Sequence, residues 1–257
     1  SGMGTIAGSV MGTYIGMLGG TDPAAKVLFA THLLSASVMA VPGSIVLAKM
    51  LCPQTEEATD HVAISGKEKE NSNILDAISS GTVTGVKLMT NIAAMLLVFI
   101  SLVALANYIT EGVIGRYTGL NDWIVKITDG KAQGLTFQFI LGVITSPFMW
   151  LIGVPSQDIM LVGSLLGQKT ILNEFVAYFQ LQQWKDAGLF MYEKSILMST
   201  YILCGFANIS SIGILLGGLG VLAPEKRGLI SRIGVPAMIG GALVSVLSAT
   251  IIGMILG

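Results

Sequence analysis

One carboxylate stands out as the side chain most able to do chemistry. Glu174 lies between two mostly apolar stretches, Ile159–Leu166 and Phe175–Leu181. At bilayer depth an ionisable group costs ~2.5 kcal/mol or more, so it reads as a functional site by default. Two alternatives stand beside that reading. Glu174 lies at a membrane surface, or it pairs with Lys169, at a spacing that suits a turn better than a helix. Asn173 directly precedes the carboxylate, and a second polar group, Asn208 with Ser210 and Ser211, follows Phe206 farther along the chain. Asn and Ser within spans often serve only to join helices. Here they coincide with helix breaks. A carboxylate among amides and hydroxyls, without a cluster of Lys or Arg, suits a neutral polyhydroxylated or heteroaromatic solute and not a phosphate. Each hydroxyl donated to it would contribute ~1.5–3 kcal/mol, so a solute lacking one should bind ~10–100-fold more weakly. Phe206 would supply an apolar wall or an aromatic face.

These residues need elements to position them, and the charge distribution supplies the frame. Apolar residues make up 53% of the 257 and charged residues only 11%, against ~25% charged in a soluble domain. Residues 1–21, 27–48, 88–110, 132–157, 195–224 and 233–257 contain no Asp, Glu, Lys or Arg. Each run reaches the ~20 residues that a helix needs to cross a hydrocarbon core. The expected fold class is all-α integral membrane, a multi-spanning helical bundle with a re-entrant helical hairpin and an interrupted transmembrane helix. Spans are expected over 1–19, 27–50, 84–112, 135–154, 195–222 and 229–257. The first is dense in small residues (Gly4, Ala7, Gly8, Ser9, Gly12, Gly16), which predicts close packing inside a bundle. Pro42-Gly43 predicts a kink in the second. Residues 53–76, with Glu56, Glu57, Asp60, Lys67, Glu68, Lys69 and Glu70, read as a solvated loop, and 113–134 as a polar stretch with Trp123 as an interfacial anchor.

Pro147 and the Gly153-Val154-Pro155-Ser156 stretch interrupt the next apolar region. The apolar pieces flanking Gly167–Glu174 are too short to span singly. Together they predict the re-entrant hairpin, over 156–181. Helix-breaking backbone at that depth is tolerated only where it is buried in protein or lines a cavity. Cys204-Gly205-Phe206-Ala207-Asn208-Ile209-Ser210-Ser211 repeats the theme in mid-span. Broken helices of this kind place polar groups where secondary transporters hold substrate and ion.

Other classes fit poorly. The net charge of −1 offers no nucleic-acid footprint. Cys52 and Cys204 lack metal-ligand spacing and read as packed thiols, and His32 reads as a satisfied polar contact within a span. An intramembrane enzyme would need a metal cluster or a nucleophile with its base, and the apolar runs offer no paired carboxylates. No cofactor is expected. The chain opens in an apolar run with no basic n-region, so it does not read as a signal peptide, and N-terminal sequence is expected to precede it.

At these residues a family resemblance emerges. Gly4-Thr5-Ile6-Ala7-Gly8-Ser9, Gly167-Gln168-Lys169 with Leu172-Asn173-Glu174-Phe175-Val176-Ala177-Tyr178, Cys204-Gly205-Phe206-Ala207-Asn208 and Leu222-Ala223-Pro224-Glu225-Lys226-Arg227 resemble the concentrative nucleoside transporter family, in its order and over essentially the whole chain. The resemblance implies a homotrimer in the lipid bilayer of a plasma or bacterial inner membrane. It would move nucleosides inward on a Na+ or H+ gradient by an elevator-like motion. It implies ribose contacts from Glu174, Asn208 and Ser211, with Phe206 near the substrate and Val10 facing the base; Asn173, beside the carboxylate, is a further substrate-binding candidate from its position alone. Thr5, by side chain and carbonyl, and Ile6, by carbonyl, would help hold the coupling Na+. The family's first helical hairpin, with its Gly-Gln-Thr-Glu stretch, has no counterpart in this sequence. The expectation is therefore a C-terminal portion, 1–257, that supplies one wall of a substrate site, with a fragment unable to transport alone as the alternative.

Overall fold

The computed structural model describes residues 2–53, 73–128, 130, 132–222 and 226–257. The chain is all-helical, with no strand among the described residues. After a non-helical start, α1 (Gly8–Gly19) and α2 (Pro23–Leu51) form the first pair. Asp22 separates them, its carboxylate accepting the Ala24 N–H with Pro23 in the first helical position, a favoured helix start. Then come α3 (Ile74–Asn107), a π-helical stretch (Tyr108–Gly115), a single turn α4 (Arg116–Thr118) and α5 (Leu120–Ile127). The remainder is α6 (Phe137–Leu151), α7 (Ile159–Ile171), α8 (Glu174–Asp186), α9 (Glu193–Leu203), α10 (Ile209–Leu222) and α11 (Arg227–Ile255).

Helix α9 is the hub. It packs against α2, α7, α8 and α11. One apolar core joins Ala36, Met149, Val162, Met198, Ile202 and Ala249. A second joins Tyr14, Leu33, Leu165, Tyr178, Leu181 and Leu203. Helices α6 and α7 lie together along a glycine seam. A Cβ on Gly142 would stand 2.9 Å from the Met160 carbonyl oxygen, and one on Gly167 would stand 2.6 Å from Leu141 Cβ. Gly153 makes the turn between these two helices. Its φ of 84° lets its own N–H reach the Trp150 carbonyl and that of Val154 reach the Met149 carbonyl, closing the end of α6.

The outward faces are apolar. On α2, Phe29, Leu33, Ala36 and Ala40 are buried, whereas Val27, Leu34, Val38, Val41 and Ile45 are exposed. Exposed apolar area on this scale marks an interaction surface or a membrane-facing one. Among the described residues, Pro23–Leu51 and Arg227–Ile255 are long and apolar enough to cross a bilayer.

Several expectations change. The helix expected over 1–19 begins only at Gly8. Gly8, Gly12 and Gly16 meet nothing within 4 Å among the described residues, whereas Gly19 is pressed against Lys26 and Gly4 is buried. Pro147 lies inside a continuous α6, within the expected span 135–154, and the nearby Thr145 and Ser146 hydroxyls back-bond to the Leu141 and Gly142 carbonyls at 2.8 and 2.6 Å. The helix expected over 84–112 starts earlier, at Ile74, where Asn73 caps it through the Asp76 N–H, and it runs on as π-helix to Gly115. Much of the polar stretch 113–134 is helical as α5, with Trp123 exposed. Cys52 is exposed instead of packed, while Cys204 is buried. The acidic and basic residues of the expected loop, Glu56 to Glu70, lie outside the described residues.

Candidate functional site

Two helix N-termini converge on Glu174. The carboxylate belongs to the first residue of α8, and Asn173 caps that helix by accepting the Val176 N–H at 2.9 Å. Across from it, α9 stops at Leu203 and α10 begins at Ile209. Asn208 caps the restart. Its Oδ1 accepts the Ser211 N–H at 2.8 Å and the Ser210 hydroxyl at 2.6 Å. Its Nδ2 donates to Glu174 Oε2 at 2.9 Å. Both caps orient positive helix ends toward a carboxylate that is 7% exposed, the favoured arrangement for an anion. An ionised carboxylate has about four acceptor positions, and the Asn208 amide takes one of them.

Ser211 is fully buried beside this pair, and its hydroxyl donates to the Phe206 carbonyl. A hydroxyl that has given its one hydrogen still accepts. Glu174 and Ser211 thus present acceptors, and Asn208 fixes both. Chemically, such an arrangement can accept hydrogen bonds from hydroxyl groups. Phe206 is half-buried at the same break. Ser210 and Ser211 lie in the first turn of α10 and not in the break itself.

The other side of the break is the C-terminal end of α9, where helix carbonyls lose their partners. Three side chains take them. Tyr178 Oη donates to the Thr200 carbonyl at 2.8 Å, Lys169 Nζ to the Ile202 carbonyl at 2.8 Å, and Ser245 Oγ to the Cys204 carbonyl at 2.8 Å. Lys169 is wholly buried and also donates to Ser245 Oγ at 3.0 Å. The alternative in which Lys169 pairs with Glu174 is not what these contacts form: the lysine goes to α9 and α11, the glutamate to Asn208. His32 Nδ1 meets Tyr201 Oη at 3.1 Å, a satisfied contact.

The segment before α1 lies on the same break. A Cβ on Gly205 would stand 3.2 Å from the Gly4 carbonyl oxygen and 3.3 Å from that of Met3. Ile6 packs on both apolar cores, Thr5 is half-buried, and Val10 is half-buried against the core that holds Tyr14 and Tyr178. The Tyr14 and Tyr178 rings stack at 4.1 Å between centroids.

The family described as "Na+ dependent nucleoside transporter C-terminus" matches residues 32–253. The chain belongs to this family. Its relatives include an uncharacterized transporter of Haemophilus influenzae, 39% identical over all of this chain and 57% of that protein. Sodium/nucleoside cotransporter 1 of Rattus norvegicus is 37% identical over 99% of this chain and 38% of its own length. Among solved structures, CNTnw in an inward-facing substrate-bound state is 35% identical with a TM-score of 0.78, over 98% of this chain and 55% of that one. The chain therefore spans about half the length, or less, of the relatives it matches. The relatives are transporters by name, in keeping with a non-enzymatic protein.

Four residues of this family member escaped sequence reasoning in their present roles. Lys169, Tyr178 and Ser245 seal the end of α9. Asp158, fully buried, accepts the Met191 N–H at 3.0 Å and the Tyr192 N–H at 3.1 Å, tying the foot of α7 to the approach to α9. A lone charge inside an apolar run was the available signal for both Lys169 and Asp158. Their partners are distant in sequence, and no spacing rule points to them. A cavity of about 690 Å³ lies elsewhere, between the α3 end, the α5–α6 connection and α7, lined by Asn107, Glu111, Gln138, Ser164 and Trp184 among others; it includes neither Glu174 nor Asn208.

Proposed function

We propose that this chain supplies one wall of the substrate site of a cation-coupled nucleoside symporter of the membrane. The observation that carries the reading is the buried Glu174–Asn208 pair, flanked by Ser211, at the meeting of two helix N-termini. Ribose hydroxyls donate to Glu174 and to Ser211, and Asn208 holds both acceptors in place. Phe206 and Val10 form the apolar boundary toward the base, and Asn173 acts chiefly as the cap that sets the carboxylate. Thr5 and Ile6 contribute oxygen ligands to the coupling Na+, for which hard oxygen donors are suited.

Helices α7 and α8 hold 13 residues each, ~20 Å of rise, which is short of a ~30 Å hydrocarbon core. That length supports a re-entrant hairpin with Asn173-Glu174 at its tip. The apolar outer faces of α2 and α11 support bilayer-spanning segments, in a homotrimer of a plasma or bacterial inner membrane. The open glycine face of α1 supports a further element packed there, the first hairpin that the family resemblance implies. That hairpin would form the opposite wall. A second reading, that this chain transports nothing by itself, is favoured by its covering 57% of the Haemophilus relative.

Uptake of labelled uridine by the full-length protein, with and without an imposed Na+ gradient, tests the proposal. Na+-stimulated uptake blocked by unlabelled nucleosides but not by nucleotides is expected. Uptake indifferent to nucleosides would discard the substrate class, and stimulation by a proton gradient alone would discard Na+ coupling.

A further inference from the structure

Lys169 is a fully buried cation that the substrate reading does not use. Its ammonium group sits at the C-terminal end of α9, the negative end of that helix. There it donates to the Ile202 carbonyl at 2.8 Å and to Ser245 Oγ at 3.0 Å. Ser245 passes the contact on to the Cys204 carbonyl at 2.8 Å. The broken end of a helix, with free carbonyls in apolar surroundings, is the kind of place where transporters coordinate a cation. Here a tethered ammonium already occupies it.

We infer that Lys169 is a built-in cation that locks α7 to the broken end of α9 and so positions Glu174 against Asn208 in every state of the protein. Lys169 stands near the C-terminal end of α7, just before the Leu172-Asn173 turn that presents Glu174. Asn208 follows the Cys204–Gly205 backbone that Lys169 and Ser245 hold. One ammonium thus grips both halves of the site: α7 through its own side chain, and the break through the Ile202 carbonyl directly and the Cys204 carbonyl by way of Ser245. Lys169 acts as a positioning residue, through Glu174 and Asn208, without touching the solute. A further consequence is that the α9 end is closed to a mobile coupling ion.

The inference rests on the nucleoside reading for its binding readout, so a second readout is kept independent of it. In the purified full-length protein, Lys169→Met keeps the chain length and removes the charge. Equilibrium uridine binding should weaken at least ~10-fold, the effect of losing a charged hydrogen bond at a buried site. Lys169→Ala leaves a channel shaped like the lost side chain. Millimolar n-propylammonium should restore uridine binding and raise the thermal unfolding midpoint of this variant, while neutral n-propanol should do neither. Wild-type affinity in Lys169→Met, or equal rescue by n-propanol, would overturn the inference, since packing alone would then explain the lysine. Should neither variant yield folded protein, Ser245→Ala keeps the lysine and removes one of its partners; binding weakened ~3-fold or more is expected, and unchanged binding would overturn the inference. Absence of uridine binding by the wild type would reject the nucleoside reading, and the n-propylammonium shift in Lys169→Ala would still judge the lysine.

Discussion

Glycines line two faces of this chain with opposite outcomes. Along α6 and α7, Gly142, Gly163 and Gly167 are pressed against a facing helix so closely that a methyl group on any of them would collide. Along α1, Gly8, Gly12 and Gly16 repeat every fourth residue and meet nothing within 4 Å among the described residues. The opposite side of the same helix, with Tyr14 and Leu18, is buried to zero exposure. Small residues permit close approach without specifying the partner. In the first case the partner is the neighbouring helix in sequence. In the second, the reading above assigns it to sequence outside this chain.

The contrast is breakable by substitution in the full-length protein. Gly142→Leu should have the largest effect, because a side chain there meets the Met160 backbone, which cannot rotate away. Overpacking of this kind costs ~1–3 kcal/mol or more, and loss of cooperative unfolding in detergent is expected. Normal melting would mean that the seam is looser than described. Gly12→Leu comes next. If another element packs on α1, folded yield survives in part and uridine uptake falls sharply; intact uptake would leave that face to lipid and dissolve the comparison. Glu174→Gln should weaken uridine binding ~10-fold with little change in melting, since a neutral amide is a poorer acceptor for hydroxyls. Unchanged affinity would remove Glu174 from the site. The smallest effect is expected for Gly16→Ala, where open space accepts a methyl group and the helix gains ~0.5–1 kcal/mol from Ala over Gly. A clear loss of stability there would show that the α1 face is covered more tightly than the Gly12 position requires.

What the sequence made legible follows from what leaves a local trace. The interruption at Cys204–Asn208 was readable, because Gly and Asn inside an apolar run disrupt helix and cap its restart. The turn at Leu172-Asn173, between the helices Ile159–Ile171 and Glu174–Asp186, left a similar local trace in its polar residues. Pro147 lies within the expected span 135–154 and inside the continuous α6. Lys169 is more instructive. Sequence proximity offered Glu174 only as an alternative partner; its partners lie on α9 and α11, and no periodicity encodes a contact of that range. The non-helical segment before α1 was hidden as well: its composition suits a helix, while its contacts with Gly205 and Gly241 hold it in another form.

The buried charges of α7 and α8 have an electrical consequence. Between Ile159 and Trp184 the only Lys, Arg, Asp or Glu residues are Lys169 and Glu174. A unit charge carried across a full membrane potential exchanges ~2.3 kcal/mol per 100 mV. An ammonium and a carboxylate borne on one rigid block contribute equal and opposite work. On the proposed transport reading, a block that carries both moves no net charge through the membrane field, and the current to be measured is that of the coupling ion.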